Sequence, residues 1–118
     1  MDFSQQFVKT YNRIRLASHI LVVSHINPDG DALSSTGAFL ELLNNLEIKS
    51  SAFCSRKKGI TFNYLPHQDK IISDKEELPP LSDFDLIIIL DCGSLSRTDL
   101  AKEILELKKQ DKRPDIIE

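Results

Sequence analysis

The stretch Leu86-Ile87-Ile88-Ile89-Leu90-Asp91 decides the fold: five consecutive large aliphatics end on an acid. An aliphatic run without polar alternation predicts a strand buried on both faces, as strands inside a parallel sheet are. Covering both faces requires helical crossovers, so the flanking sequence should alternate strand and helix. It does. Ile20 to Ser24 is a second run without helical period, closed by the turn Asn27-Pro28-Asp29-Gly30. Ala32 to Leu46 reads as a helix with Leu33, Phe39, Leu40, Leu43 and Leu46 on its buried side and Asp31 as its N-cap. Ile48 to Cys54 predicts another strand. Between Ile60 and Pro80 the pattern supports a short helix near Phe62 to Leu65 and a short strand at Lys70 to Ser73. Ser96 and Asp99 have capping-box spacing and open a helix from Arg97 to about Lys109, which Arg113-Pro114 ends before a strand at Asp115-Ile116-Ile117. At the other end, Phe3, Phe7, Tyr11 and Ile14 recur at helical spacing and predict a helix from about Phe3 to Leu16, its aromatic stripe in the core. The expected class is α/β, a mainly parallel sheet flanked by helices. The chain should end inside or just after a strand, and it is expected to be a truncated piece of a domain.

Length and charge narrow the function. One domain, or part of one, is expected of 118 residues. Lys plus Arg number 15 against 18 Asp plus Glu, a net charge of −3, which argues against nonspecific duplex DNA binding. No apolar run approaches the length of a membrane span, and no signal segment opens the chain, so no membrane partner is expected. Two cysteines, Cys54 and Cys92, make no disulfide framework and point to a reducing, cytoplasmic setting.

Open α/β sheets bind ligands beyond the carboxyl ends of their strands. His25, Asp29 and Asp31 follow the first strand, and Asp91 follows Leu86 to Leu90, so all four belong to that edge. His19, Asp83 and Asp85 stand at strand starts, on the opposite edge. Three acids at close range disfavour one another's ionisation, and a divalent cation resolves the conflict. Oxygen-rich donors with one imidazole and no thiolate suit manganese or magnesium. Gly30 lets the backbone bend so that Asp29 and Asp31 face one cavity. Two cations sharing Asp91 could activate a water against a phosphate ester, with the helix N–H groups near Ser34 and Ser35 directed at the phosphate. A plainer reading stays open: Asn-Pro-Asp-Gly is a type I turn, Asp31 a helix cap, Asp91 a strand-end turn residue.

The segment Ser24-His25-Ile26-Asn27-Pro28-Asp29-Gly30-Asp31-Ala32-Leu33-Ser34-Ser35 resembles the first signature of the DHH family of phosphoesterases. Leu86 to Gly93, followed by Leu95-Ser96-Arg97-Thr98, is similar to its second. The resemblance spans about Ser4 to Glu118 and is strongest to the oligoribonuclease/pAp-phosphatase branch, with RecJ-type exonucleases as wider kin. It implies manganese-dependent hydrolysis of phosphate esters in small nucleotides or short single-stranded oligonucleotides. Carried over by motif position, His25 and Asp29 would hold a first metal, Asp31 a second, and Asp91 would bridge both; Asp31 and Asp91 are the catalytic candidates. Ser34, Ser35 and Arg97 are the candidate substrate contacts, although the family commonly has glycine where this chain has Ser34. The Asp-His-His motif, a further metal-binding aspartate and the C-terminal substrate-binding domain are not found in residues 1–118. The chain is therefore read as the N-terminal part of a DHH phosphoesterase domain, inactive or nearly so alone, and a homodimer is an open possibility.

Two other classes compete. A non-catalytic nucleotide-binding regulatory domain would keep the fold without turnover, and clustered acids argue against it. A dinucleotide-binding domain would need G-x-G-x-x-G after its first strand, where this chain reads Asn-Pro-Asp-Gly-Asp. Arg56, Lys57 and Lys58 are read as a solvated loop that could attract phosphate. Cys92 reads as a packing residue and His67 as an isolated loop histidine.

Overall fold

The computed structural model describes residues 3–57, 65–90, 92–110 and 114–117. Five parallel strands form its sheet: β1 (His19–Val23), β2 (Lys49–Phe53), β3 (Ile71–Ile72), β4 (Leu86–Ile89) and β5 (Asp115–Ile117). Their spatial order is β3-β2-β1-β4-β5. The chain builds outward from β1 through β2 to β3, then crosses back to lay β4 on the other side of β1. The winding direction thus reverses between β1 and β4, and in open α/β sheets the carboxyl ends of the strands at such a reversal are where ligands bind.

Burial explains the aliphatic runs. Even-numbered Ile20, Val22, Leu86 and Ile88 pack with Leu33, Leu40 and Leu43 of helix α2 (Gly30–Asn45). Odd-numbered Leu21, Val23, Ile87 and Ile89 pack on the other face with Ile104 and Leu107 of helix α3 (Ala101–Leu107). Each such side chain, taken fully from water, contributes about 1.5–3 kcal/mol, so β1 and β4 are the anchor of the domain.

Three expectations about the helices need correction. Helix α1 (Phe3–Leu16) forms where its spacing placed it, but its aromatic stripe is not core: Phe3 is 82% exposed, Phe7 66% and Tyr11 43%. Only Ile14 of this helix is buried; helical spacing tells which residues share a face, not whether anything covers it. The cap of α2 is Asp29 rather than Asp31: its carboxylate accepts the Ala32 N–H at 2.8 Å, and Asp31 stands in the first turn, where an acid favours the helix dipole. The helix expected from Arg97 to Lys109 is split. A 3₁₀ turn covers Leu95–Thr98, Asp99 adopts a left-handed φ of 64°, and α3 starts only at Ala101. No capping box forms, because Asp99 turns its carboxylate to Ser55 instead.

Most of the short helix expected near Phe62 to Leu65 lies outside the described residues, and so do Lys58, Asp91 and Arg113. Gly37 of α2 lies against the loop that leads to β3: a Cβ there would stand 2.5 Å from the Pro66 carbonyl oxygen. In the same loop His67 pairs with Glu41 of α2, so it is not an isolated histidine. Among the described residues no helix is long and apolar enough to cross a membrane.

Candidate functional site

Three loops meet at the carboxyl edge. The one leaving β1 is held by its own backbone: Ile26 N–H donates to the Arg97 carbonyl at 2.6 Å, and Asn27 N–H donates to the Ser55 carbonyl at 2.9 Å. One bond goes to the loop after β4 and the other to the loop after β2. Asn27, at φ 51°, takes the left-handed turn that brings the chain round to Asp29 and into α2.

His25 is buried in this loop at 8% exposure. Its Nδ1 lies 2.9 Å from the Ile26 carbonyl oxygen, which can only accept, so Nδ1 is the donor of that bond. Nε2 is 3.8 Å from Asp29 Oδ1. A backbone carbonyl holding the far nitrogen of an imidazole is the usual outer support of a metal-binding histidine. Imidazole nitrogen and carboxylate oxygen, without thiolate, are donors suited to manganese or magnesium, so this pair fits the expected ion.

The remaining predicted residues are placed as follows. Asp31, Ser34 and Ser35 are exposed in the first turns of α2, at the same edge. Arg97 is exposed on the neighbouring loop, tied to Ile26 through its carbonyl. Asp91 lies outside the described residues, and among those described no three His, Cys, Asp or Glu side chains cluster as a metal cage. The described part of the site is therefore the His25–Asp29 pair with Asp31 two residues on.

Sequence reasoning missed Ser55 and Asp99. The Ser55 hydroxyl donates to Asp99 Oδ2 at 2.6 Å, and this bond, with Lys75 and Arg56 nearby, holds the Asp99 carboxyl below its ordinary range. Neither role carries a local sequence signal, since the left-handed turn at Asp99 is visible only in the fold. Of the basic run, Lys57 Nζ is engaged with the Gln68 carbonyl at 3.3 Å, while Arg56 is exposed. Cys92 is half-buried against the α3-side core and donates to the Ser94 carbonyl, as a packing residue would. Cys54 is fully buried under α2, and burial pushes its thiol up to about 11, so it stays protonated at neutral pH.

Residues 19–117 match the family model described as DHH family, N-terminal domain. A search of curated proteins gives no match. Among solved structures, the chain is similar to the crystal structure of an exopolyphosphatase-related protein from Bacteroides fragilis, with 20% identity and a TM-score of 0.73. That likeness covers 96% of this chain and 38% of the other, so the chain spans well under half of that protein's length. The whole five-stranded sheet falls inside the family match, and the chain belongs to the DHH family, with its phosphoesterase fold.

Proposed function

We propose that the chain is the N-terminal part of a metal-dependent phosphoesterase that hydrolyses phosphate esters of small nucleotides or short single-stranded oligonucleotides, in the cytoplasm. The observation that carries this reading is the His25–Asp29 pair at the point where the sheet reverses its winding, with Nδ1 already committed to Ile26 and Nε2 facing the carboxylate. His25 and Asp29 would hold one ion, Asp31 a second, and Asp91 would contribute to both. When bound, manganese, or magnesium in its place, supplies an activated water and neutralises phosphate charge. The chain's own groups do the rest. The hydroxyls of Ser34 and Ser35 would bind the phosphate oxygens, and Arg97 would offset their charge. Residues 1–118 contain no Asp-His-His triplet, and on this reading they bind a single ion weakly and turn over little substrate by themselves.

The test is an assay of the full gene product with manganese, on a linear dinucleotide and on a 3′,5′-bisphosphorylated adenosine, beside Asp31→Ala. Loss of turnover by about 100-fold or more is expected, on the scale of removing a group that acts on the reacting centre. Unchanged turnover in that variant would remove Asp31 from the site and the reading with it.

A further inference from the structure

We propose that Asp99 is a positioning residue: through Ser55 and the peptide unit joining Ile26 to Asn27, it sets the tautomer and tilt of the His25 ring. The functional meaning of this relay rests on the metal-site reading above; its geometry does not.

The relay has three hydrogen bonds in series. Asp99 Oδ2 accepts from the Ser55 hydroxyl at 2.6 Å. The Ser55 carbonyl accepts the Asn27 N–H at 2.9 Å. The carbonyl of the same peptide unit, belonging to Ile26, accepts His25 Nδ1–H at 2.9 Å. A trans peptide is rigid and directs its N–H and C=O oppositely, so holding the N–H at Ser55 aims the carbonyl at the imidazole. Turning that plane would take the acceptor away from Nδ1 and remove the hydrogen bond that favours the Nδ1–H form.

Two further features support the relay. Asn27 and Asp99 both adopt left-handed φ, 51° and 64°, and neither is glycine. Asn and Asp take this conformation more readily than other side chains, and here they stand at two corners of one bonded circuit. The second anchor of the loop, Ile26 N–H to the Arg97 carbonyl, comes from the turn that carries Asp99, so the Ser55–Asp99 bond ties the two anchors to each other. Lys75 approaches Asp99 Oδ1 at 3.7 Å from outside the circuit and serves as a control.

Nitrogen-15 NMR of the imidazoles in the metal-free 118-residue protein, in alkaline buffer, reads the tautomer directly. In the wild type His25 should be the Nδ1–H form. Asp99→Gly deletes the carboxylate while leaving a residue at ease with φ near 64°, so the variant should fold; Ser55→Ala removes the donor. Both should shift the tautomer ratio toward Nε2–H by about fivefold, the scale of one lost hydrogen bond, and the double variant should shift it no further. Asp99→Asn, whose amide oxygen still accepts, should restore the wild-type spectrum, and Lys75→Ala should leave it unchanged. A folded Asp99→Gly with wild-type His25 signals overturns the proposal, as does an equal shift in Lys75→Ala. Manganese titration of the same proteins separates the two ideas. A tautomer shift in a protein that binds no manganese upholds the relay and removes the metal reading; manganese binding with an unmoved His25 in Asp99→Gly does the reverse.

Discussion

His19 and His25 flank the same buried strand run at opposite ends, and the structure uses them differently. At the amino end, the His19 ring packs against Phe84 with centroids 4.4 Å apart, and its backbone N–H donates to Asp85 Oδ1 at 2.9 Å. Asp85 also accepts the Ser18 N–H, while Arg13 reaches both the Asp85 carbonyl and the Asp115 carboxylate. Burial pushes the Asp85 carboxyl upward, but the N–H donors and the Arg13 guanidinium together outweigh it and hold the group below its ordinary value. Asp85 and Asp115 of this end are committed to tying strands and helix α1 together. At the carboxyl end, His25 is oriented by a backbone carbonyl, Asp29 keeps a side chain 66% exposed, and Asp31 is exposed beside it. The same residue types are structural where N–H groups and a guanidinium satisfy them, and at the strand reversal the two carboxylates stay exposed to solvent.

The contrast can be broken most sharply by exchanging which histidine is lost. His25→Ala should weaken manganese binding by about 100-fold or more, above the range for losing an outer-shell partner, with a much smaller effect on melting; calorimetric titration beside thermal melts checks both. Cys54, also just past a strand at the carboxyl end, tests whether position alone makes a residue reactive. Its folded value is raised from 9.0 to about 11, so it contributes stability that is complete below pH 9 and is lost as pH rises through 11. Alkaline melting should show a loss of about 3 kcal/mol that Cys54→Ala removes. His19→Ala should lower stability by about 1–2 kcal/mol through the lost packing on Phe84, leaving manganese affinity unchanged. The smallest effect is expected of Asp85: its lowered value gives stability present above 3.8 and lost as pH falls through the folded value. Acid melting curves of Asp85→Asn should therefore be flatter than those of the wild type below that pH.

The central strands were legible because burial on both faces leaves a short aliphatic run without polar alternation between turn signals, as in Leu86 to Leu90. The turn at Asn27 to Gly30 was legible because proline and glycine restrict backbone geometry locally. What could not be read depended on distant partners. Phe3, Phe7 and Tyr11 have a core-like spacing, yet the body of the domain reaches only Ile14. Asp99 stands where a capping box would put it, but Ser55, 44 residues away in sequence, takes its carboxylate and the helix starts later. The site divides the same way: the residues of the signatures follow strand ends, while the Ser55–Asp99 bond that braces their loops left no local mark.

Manganese titration of residues 1–118 by isothermal calorimetry tests the central claim most directly, that His25 and Asp29 jointly grip a cation at the carboxyl edge. One weakly held ion is predicted, with binding lost in both His25→Ala and Asp29→Asn and retained in His19→Ala. Two tightly bound ions, or binding indifferent to the loss of His25, would contradict it.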